Sequence, residues 1–161
     1  MGGLYNLKTG VATPDDLSGL NYFAVTADLS SATWNTAAAH EIALVSGLVR
    51  VAIIAQVTVT GDDTTGNTST ASLGWAGTVA GMIAATDVDD MLAGEIWYDA
   101  TPTTTGEAYG TAVLDFIVNG LDIGYTIAGE AATAGTIVFH VFWEEISSGA
   151  SVSAGAGGSF A

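Results

Sequence analysis

Residues 47 to 63 read GLVRVAIIAQVTVTGDD. Between 48 and 60 the side chains alternate: Val49, Val51, Ile53, Ala55, Val57 and Val59 fall on one side of an extended chain. Leu48, Arg50, Ala52, Ile54, Gln56, Thr58 and Thr60 fall on the other. A period of two marks a strand, because successive Cβ atoms leave a pleated backbone on opposite sides. The first side is wholly apolar and is expected in a core. The second is mixed, neither a solvent face nor a second core, and it carries Arg50.

The same habit recurs twice. In VLDFIVNGLDIGYTI, residues 113 to 127, Asn119-Gly120 separates two alternating runs, and both residues tolerate the positive φ of a type I′ turn. The expected hairpin sets Val118 opposite Leu121, Phe116 opposite Ile123 and Leu114 opposite Tyr125, with Asp115, Ile117 and Asp122 on the reverse face. In TIVFHVFWEEIS, residues 136 to 147, Ile137, Phe139, Val141 and Trp143 alternate with Val138, His140, Phe142 and Glu144. Phe116, Ile123 and Trp143 are expected to be well buried. Weaker strand signals lie around 21 to 29, 40 to 46, 70 to 76, 78 to 84 and 95 to 100. Segment 30 to 39 reads as either a loop or a helical turn. TDVDDMLAG, 86 to 94, has capping-box spacing between Thr86 and Asp89, acids in its first turn and Gly94 after its end, which predicts a short helix.

So many short strands between Gly, Asn and Thr turns predict an all-β fold. It is a β-sandwich or jelly-roll-like barrel of about eight short antiparallel strands, with at most one short helix. Three parts are expected: an N-terminal arm over 1–20, the β domain over 21–147, and a flexible Gly/Ser/Ala-rich tail over 148–161.

Composition removes several functions. The chain of 161 residues has seventeen Asp and Glu, two Lys or Arg and a formal charge of −15. Nucleic acids and anionic membranes are recognised largely through cations, and Lys8 with Arg50 cannot supply them. No apolar run reaches the roughly 18 residues of a membrane helix. The opening MGGLYNLKTG lacks a basic region followed by an apolar core, so neither a signal peptide nor lipidation is expected, and synthesis is expected in the cytoplasm. Hydrophobic residues make up 49% of the chain and charged ones 12%, so some apolar surface is expected to be covered by a neighbour.

Catalytic chemistry finds little to use. There is no Cys and no G-x-S-x-G elbow, and the two histidines, His40 and His140, read as isolated strand residues. No catalytic residue and no cofactor is expected. Asp62, Asp63 and Asn67 in GDDTTGNTS, and Asp87, Asp89 and Asp90 in TDVDD, gather hard oxygen ligands suited to calcium. Neither cluster matches an EF-hand, and the residues favour a solvated hairpin tip and a helix cap instead. Asn67-Thr68-Ser69 is formally a glycosylation sequon.

The phrases DLSSATWNTAAAHEI, VLDFIVNGLDIGYTI and IVFHVFWEEIS followed by GAGGS, in a small acidic Cys-free β domain, resemble virion structural proteins of tailed bacteriophages, especially marine ones. The resemblance runs from about residue 21 onward and is strongest to capsid decoration, or cement, proteins. It implies a non-enzymatic protein on the outer surface of the phage head, made in the host cytoplasm. It implies assembly as a homo-oligomer, often a trimer, with the major capsid protein as partner and neither nucleic acid nor membrane. It carries over no binding residue. A tail, fibre or baseplate component would show the same traits, and a carbohydrate-binding module would need Trp34, Trp75 or Trp97 exposed as a platform.

From the residues themselves, the mixed outer faces supply the candidate interface: Leu48, Arg50, Ile54, Asp115, Asp122, His140, Phe142 and Glu144. A regular strand turns Arg50 away from the valine side. There a guanidinium is satisfied by a carboxylate, held bidentately while its stem covers apolar surface. Asp115, Asp122 and Glu144 are the candidates, either within one chain or across subunits, and the remaining alternative is an exposed, unpaired Arg50.

Overall fold

The computed structural model describes residues 17, 19–64, 66, 68–103 and 106–159. Its strands are β1 (Asn21–Asp28), β2 (Ala39–Ser46), β3 (Leu48–Asp63), β4 (Thr70–Trp75), β5 (Thr78–Asp87), β6 (Ile96–Trp97), β7 (Leu114–Asn119), β8 (Ile123–Ala128), β9 (Ala132–Glu145) and β10 (Ser151–Ala154). A four-residue helix, α1 (Tyr109–Ala112), precedes β7. The strands form two antiparallel sheets. The first runs β1-β9-β3, with β7 and β6 sharing the far side of β3. The second runs β10-β2-β8-β4-β5. The fold is an all-β sandwich.

The alternation of the opening stretch becomes its inner face. Val49, Val51, Ile53, Ala55 and Val57 of β3 are buried beside Ile137, Phe139 and Val141 of β9, and they meet Ile42, Leu73, Ile123, Tyr125 and Ile127 of the second sheet. Each such side chain, fully buried, is worth roughly 1.5–3 kcal/mol of transfer free energy. Trp97 is fully buried, edge-on to Phe139, and donates its indole N–H to Thr86 Oγ1 at 2.9 Å. Val59 departs from the pattern. The β3–β9 register shifts between Val57 and Val59, and Val59 turns out to solvent.

Four other expectations are corrected. Asn119-Gly120 is not a hairpin. Strand β7 pairs with β3 in the first sheet, whereas β8 pairs with β2 and β4 in the second. Gly120 does take a positive φ of 62°, but its N–H donates to Gly47 O at the end of the β3–β7 ladder, and the chain then passes to the second sheet, so the dipeptide is a corner between sheets. Phe116 and Trp143 are therefore only half-buried at the margin of the core, while Ile123 is fully buried. The helix of 86 to 94 is a single 3-10 turn, Val88–Asp90, because β5 extends to Asp87. Its cap is Asp87, whose carboxylate accepts from Asp89 N–H, and not Thr86, which is buried under Trp97.

Of the tail expected over 148–161, the described residues 148–159 contribute to the fold. Its strand β10 pairs with β2, and residues 155 to 158 continue along the same edge through Gly155 N–H to Ile42 O, Gly157 N–H to Glu41 O and Glu41 N–H to Gly158 O. The glycines answer a steric need. A Cβ on Gly155 would lie 2.5 Å from Glu41 O, and one on Gly157 would press on Thr33 and Trp34. Segment 30–38 is a series of turns, begun by Asp28, whose carboxylate accepts from the Ser30 N–H and hydroxyl. Of the arm expected over 1–20, only 17, 19 and 20 are among the described residues.

Candidate functional site: the outer face of the first sheet

The outward residues of the first sheet lie in rows fixed by strand register. Glu144, Arg50 and Ile117 form one row, and Tyr22, Phe142, Ala52 and Asp115 the next. Ala24, His140 and Ile54 form a third, and Leu48 stands opposite Asn119. Arg50 thus has Glu144 directly across one strand boundary and Asp115 diagonally across the other, both within side-chain reach. Arg50 Nε donates to Asp115 Oδ1 at 3.0 Å and Nη2 to Oδ2 at 2.6 Å, a bidentate pair, while Nη1 stands 3.5 Å from Glu144 Oε1. The side chains of Arg50, Asp115 and Glu144 are 20%, 34% and 22% exposed, so the network is intermediate between a surface pair and a buried one. Burial raises the Glu144 carboxyl above the usual carboxylate range.

Around this network the face is apolar. Ile117 on β7 is 69% exposed and Tyr22 on β1 is 54% exposed, while Leu48, Ile54 and Phe142 are half-buried between them. The Tyr22 ring packs on Phe142 with centroids 5.0 Å apart. Gln56 Oε1 lies 3.4 Å from His140 Nε2, and the Tyr22 hydroxyl lies 2.9 Å from Nδ1. With Nε2 protonated toward Gln56, Nδ1 accepts from the tyrosine. The face thus mixes exposed aromatic and aliphatic groups with a network of one cation and two carboxylates.

Seven of the eight candidate interface residues share this face: Leu48, Arg50, Ile54, Asp115, His140, Phe142 and Glu144. Asp122 does not. It precedes β8 in the second sheet and accepts from Val45 N–H at 2.8 Å. Because β7 and β8 belong to different sheets, the reverse face assumed for a hairpin does not exist. Asp122 instead acts on Glu41, whose carboxyl is raised first by burial and then by the Asp122 charge. Tyr22 and Ile117 are the most exposed large apolar groups on the face. Tyr22 was legible as the outward member of the alternation Tyr22, Ala24, Thr26 opposite inward Phe23, Val25 and Ala27.

The acidic loops are organised around one side chain. Asp63 is buried, and its carboxylate accepts from the N–H groups of Gly66, Thr68 and Ser69 and from the Thr68 hydroxyl. Its own N–H donates to Asp89 Oδ1 at 3.1 Å, and Asp89 N–H to Asp87 Oδ1 at 3.0 Å. Asp63 thus serves its own turn as an acceptor for several donors. Asp62 and Asp90 are exposed, and Asn67 lies outside the described residues. No three His, Asp or Glu side chains among the described residues are grouped to hold a metal ion.

The two histidines do not meet. His140 is on the outer face of the first sheet. His40 is buried at the start of β2, its ring 5.1 Å from Tyr125 and 6.4 Å from Trp34, with Nε2 2.8 Å from Thr36 O. The Tyr125 hydroxyl donates to Trp34 O, and burial pushes that phenol far up. An open depression of about 390 Å³ beside His40 is lined mainly by small groups, among them Ala32, Thr33, Thr36 and Gly157. Of the tryptophans a carbohydrate platform would use, Trp97 is buried, while Trp34, packed on Tyr125, and Trp75, edge-on to Phe116, are half-buried. No helix among the described residues is long and apolar enough to cross a membrane.

No protein-family model and no curated protein matches the chain. Among solved structures it is similar to one titled "Acidic stable capsid structure of Helicobacter pylori bacteriophage KHP30". Identity is 12%, the TM-score 0.43, and the alignment covers 82% of this chain and 92% of that one. A likeness at that level fixes neither fold nor function.

Proposed function

We propose that this protein is a non-enzymatic virion structural protein of a tailed bacteriophage. Its role is head decoration: it binds the outside of the capsid as a homo-oligomer, a closed trimer, with the major capsid protein as partner. The observation that supports this reading is the outer face of the first sheet, where Tyr22, Ile54, Ile117 and Phe142 surround the Arg50, Asp115 and Glu144 network. The apolar groups supply the area a protein contact buries, and pairing with Asp115 and Glu144 offsets part of the cost of taking Arg50 out of water. The resemblance of residues 28–42, 113–127 and 137–147 to phage virion proteins points the same way. The charge of −15 keeps free subunits soluble before they reach the head.

The test is a cryo-EM map of the phage particle that carries the protein, with gel stoichiometry of the same preparation. Density for the sandwich outside the head shell, in fixed ratio to the major capsid protein and with the first sheet turned to its neighbours, is the expected result. Density confined to the tail or baseplate, or absence from the particle, overturns the proposal.

A further inference from the structure

Strand β1 is an open edge unlike the others. It pairs with β9 one to one over eight residues, from Asn21 with Trp143 to Asp28 with Thr136, without a bulge. Among the described residues no strand pairs its other side. Every second residue of β1 therefore turns its N–H and C=O toward that open side. Sheets usually protect such an edge with Pro, Lys, an inward charge or a bulge. The sequence NYFAVTAD contains no Pro, Lys or Gly, and its one charge stands at the end. The remaining edges are interrupted or charged: β5 shifts register twice against β4 and ends in Asp87, β7 carries Asp115, and β10 has four residues. In a chain with seventeen carboxylates and two Lys or Arg, β1 is, among the described residues, the longest edge that keeps one register throughout and carries a charge only at its end.

We propose that β1 is a pairing edge between two copies of this chain, antiparallel about a two-fold axis through Ala24. Residues that meet across such a pair must stand on the same side of the sheet. Centring on Ala24 satisfies this. It sets Ala24 against the partner's Ala24, Phe23 against the partner's Val25 and Tyr22 against the partner's Thr26. The two first sheets become one, and the inward row of Phe23 and Val25 continues from core to core. The two Asp28 carboxylates stand eight residues apart along the strand, about 26 Å at the rise of an extended chain. That exceeds the screening length of roughly 8 Å at physiological salt, so the two Asp28 charges do not oppose the contact. The contact needs only a second copy and does not rest on the capsid reading; being isologous, it joins two copies and is separate from the contact that closes a trimer.

The chain has no Cys, so Ala24→Cys introduces a single thiol. Across an antiparallel pair the facing Cβ atoms lie about 4.5–5.5 Å apart, close enough for a disulfide after a small adjustment. Under mild oxidation at micromolar concentration, Ala24→Cys is expected to give a covalent dimer at least tenfold faster than Thr133→Cys, another exposed position, on β9. Ala24→Lys places two ammonium groups face to face and is expected to lower the mass seen by light scattering while leaving the urea midpoint unchanged. Equal cross-linking rates for the two thiols overturn the proposal, as does an Ala24→Lys protein that associates like the parent. Should residues 1–16 cover this edge instead, Ala24→Cys stays unlinked, and that too refutes it.

Discussion

Replacing Arg50 by Met keeps an apolar stem on the outer face and removes the guanidinium. Asp115 loses a bidentate partner and Glu144 a cation 3.5 Å away. Exposed pairs contribute about 0–1 kcal/mol, while deleting one member of a buried pair costs about 3–5 kcal/mol. With side chains 20% to 34% exposed and good geometry, the expected cost is about 1–2 kcal/mol, between those limits. For a domain of this size that lowers Tm by roughly 2–8 °C. A cycle with Asp115→Asn isolates the pair, and its coupling energy in urea unfolding should be about 1 kcal/mol and fall with added NaCl. The pH dependence has a definite sign. Burial raises Glu144, so the folded state holds its proton more tightly than the unfolded chain, and stability from that proton is lost as pH rises through the folded pKa. Without Arg50 the ionised form is less compensated, so the gap between variant and parent should narrow as pH falls through the carboxylate range. A coupling below about 0.3 kcal/mol, additive within the usual error, would refute the view that this pair fixes Arg50 on the face.

Asp63→Asn removes charge from a carboxylate that accepts from three backbone amides and a hydroxyl, and it should cost about 2–3 kcal/mol in urea unfolding, with amide exchange rising first at Thr68 and Ser69. Glu41→Gln removes a carboxylate raised by burial and by Asp122; it should raise Tm at neutral pH, with the gain vanishing below the raised pKa, as thermal melts at pH 7 and pH 4 would show. Gly155→Ala drives a Cβ toward Glu41 O, so the chain after β10 must lift from β2, and the Glu41 amide, bonded to Gly158 O, should lose exchange protection with little change at Val51.

Much of the first sheet was legible in the amino acids. The phases of β3 and β9 follow from alternation, since a pleated strand with one buried face cannot slip by one residue without exposing Val51, Ile53, Phe139 and Val141. The outward position of Arg50 follows from the same phase. Which carboxylates it meets does not, because Asp115 and Glu144 lie 65 and 94 positions along the chain and only strand register brings them to it.

The sequence by itself determined the fold class, the inner and outer sides of the long strands and the scarcity of cations. These are local quantities, set by Cβ geometry and composition. Tertiary structure decided where each strand found its partner. Asn119-Gly120 permits positive φ in a hairpin or at a corner, and the alternation of β7 and β8 is satisfied either way, so pairing β7 with β3 and β8 with β2 and β4 depended on contacts far apart in sequence. The same holds for residues 148–159, whose composition suggested a flexible tail. Gly155 and Gly157 are small because Glu41 and Trp34 press against them, and the close approach of two distant segments leaves no local trace in the chain.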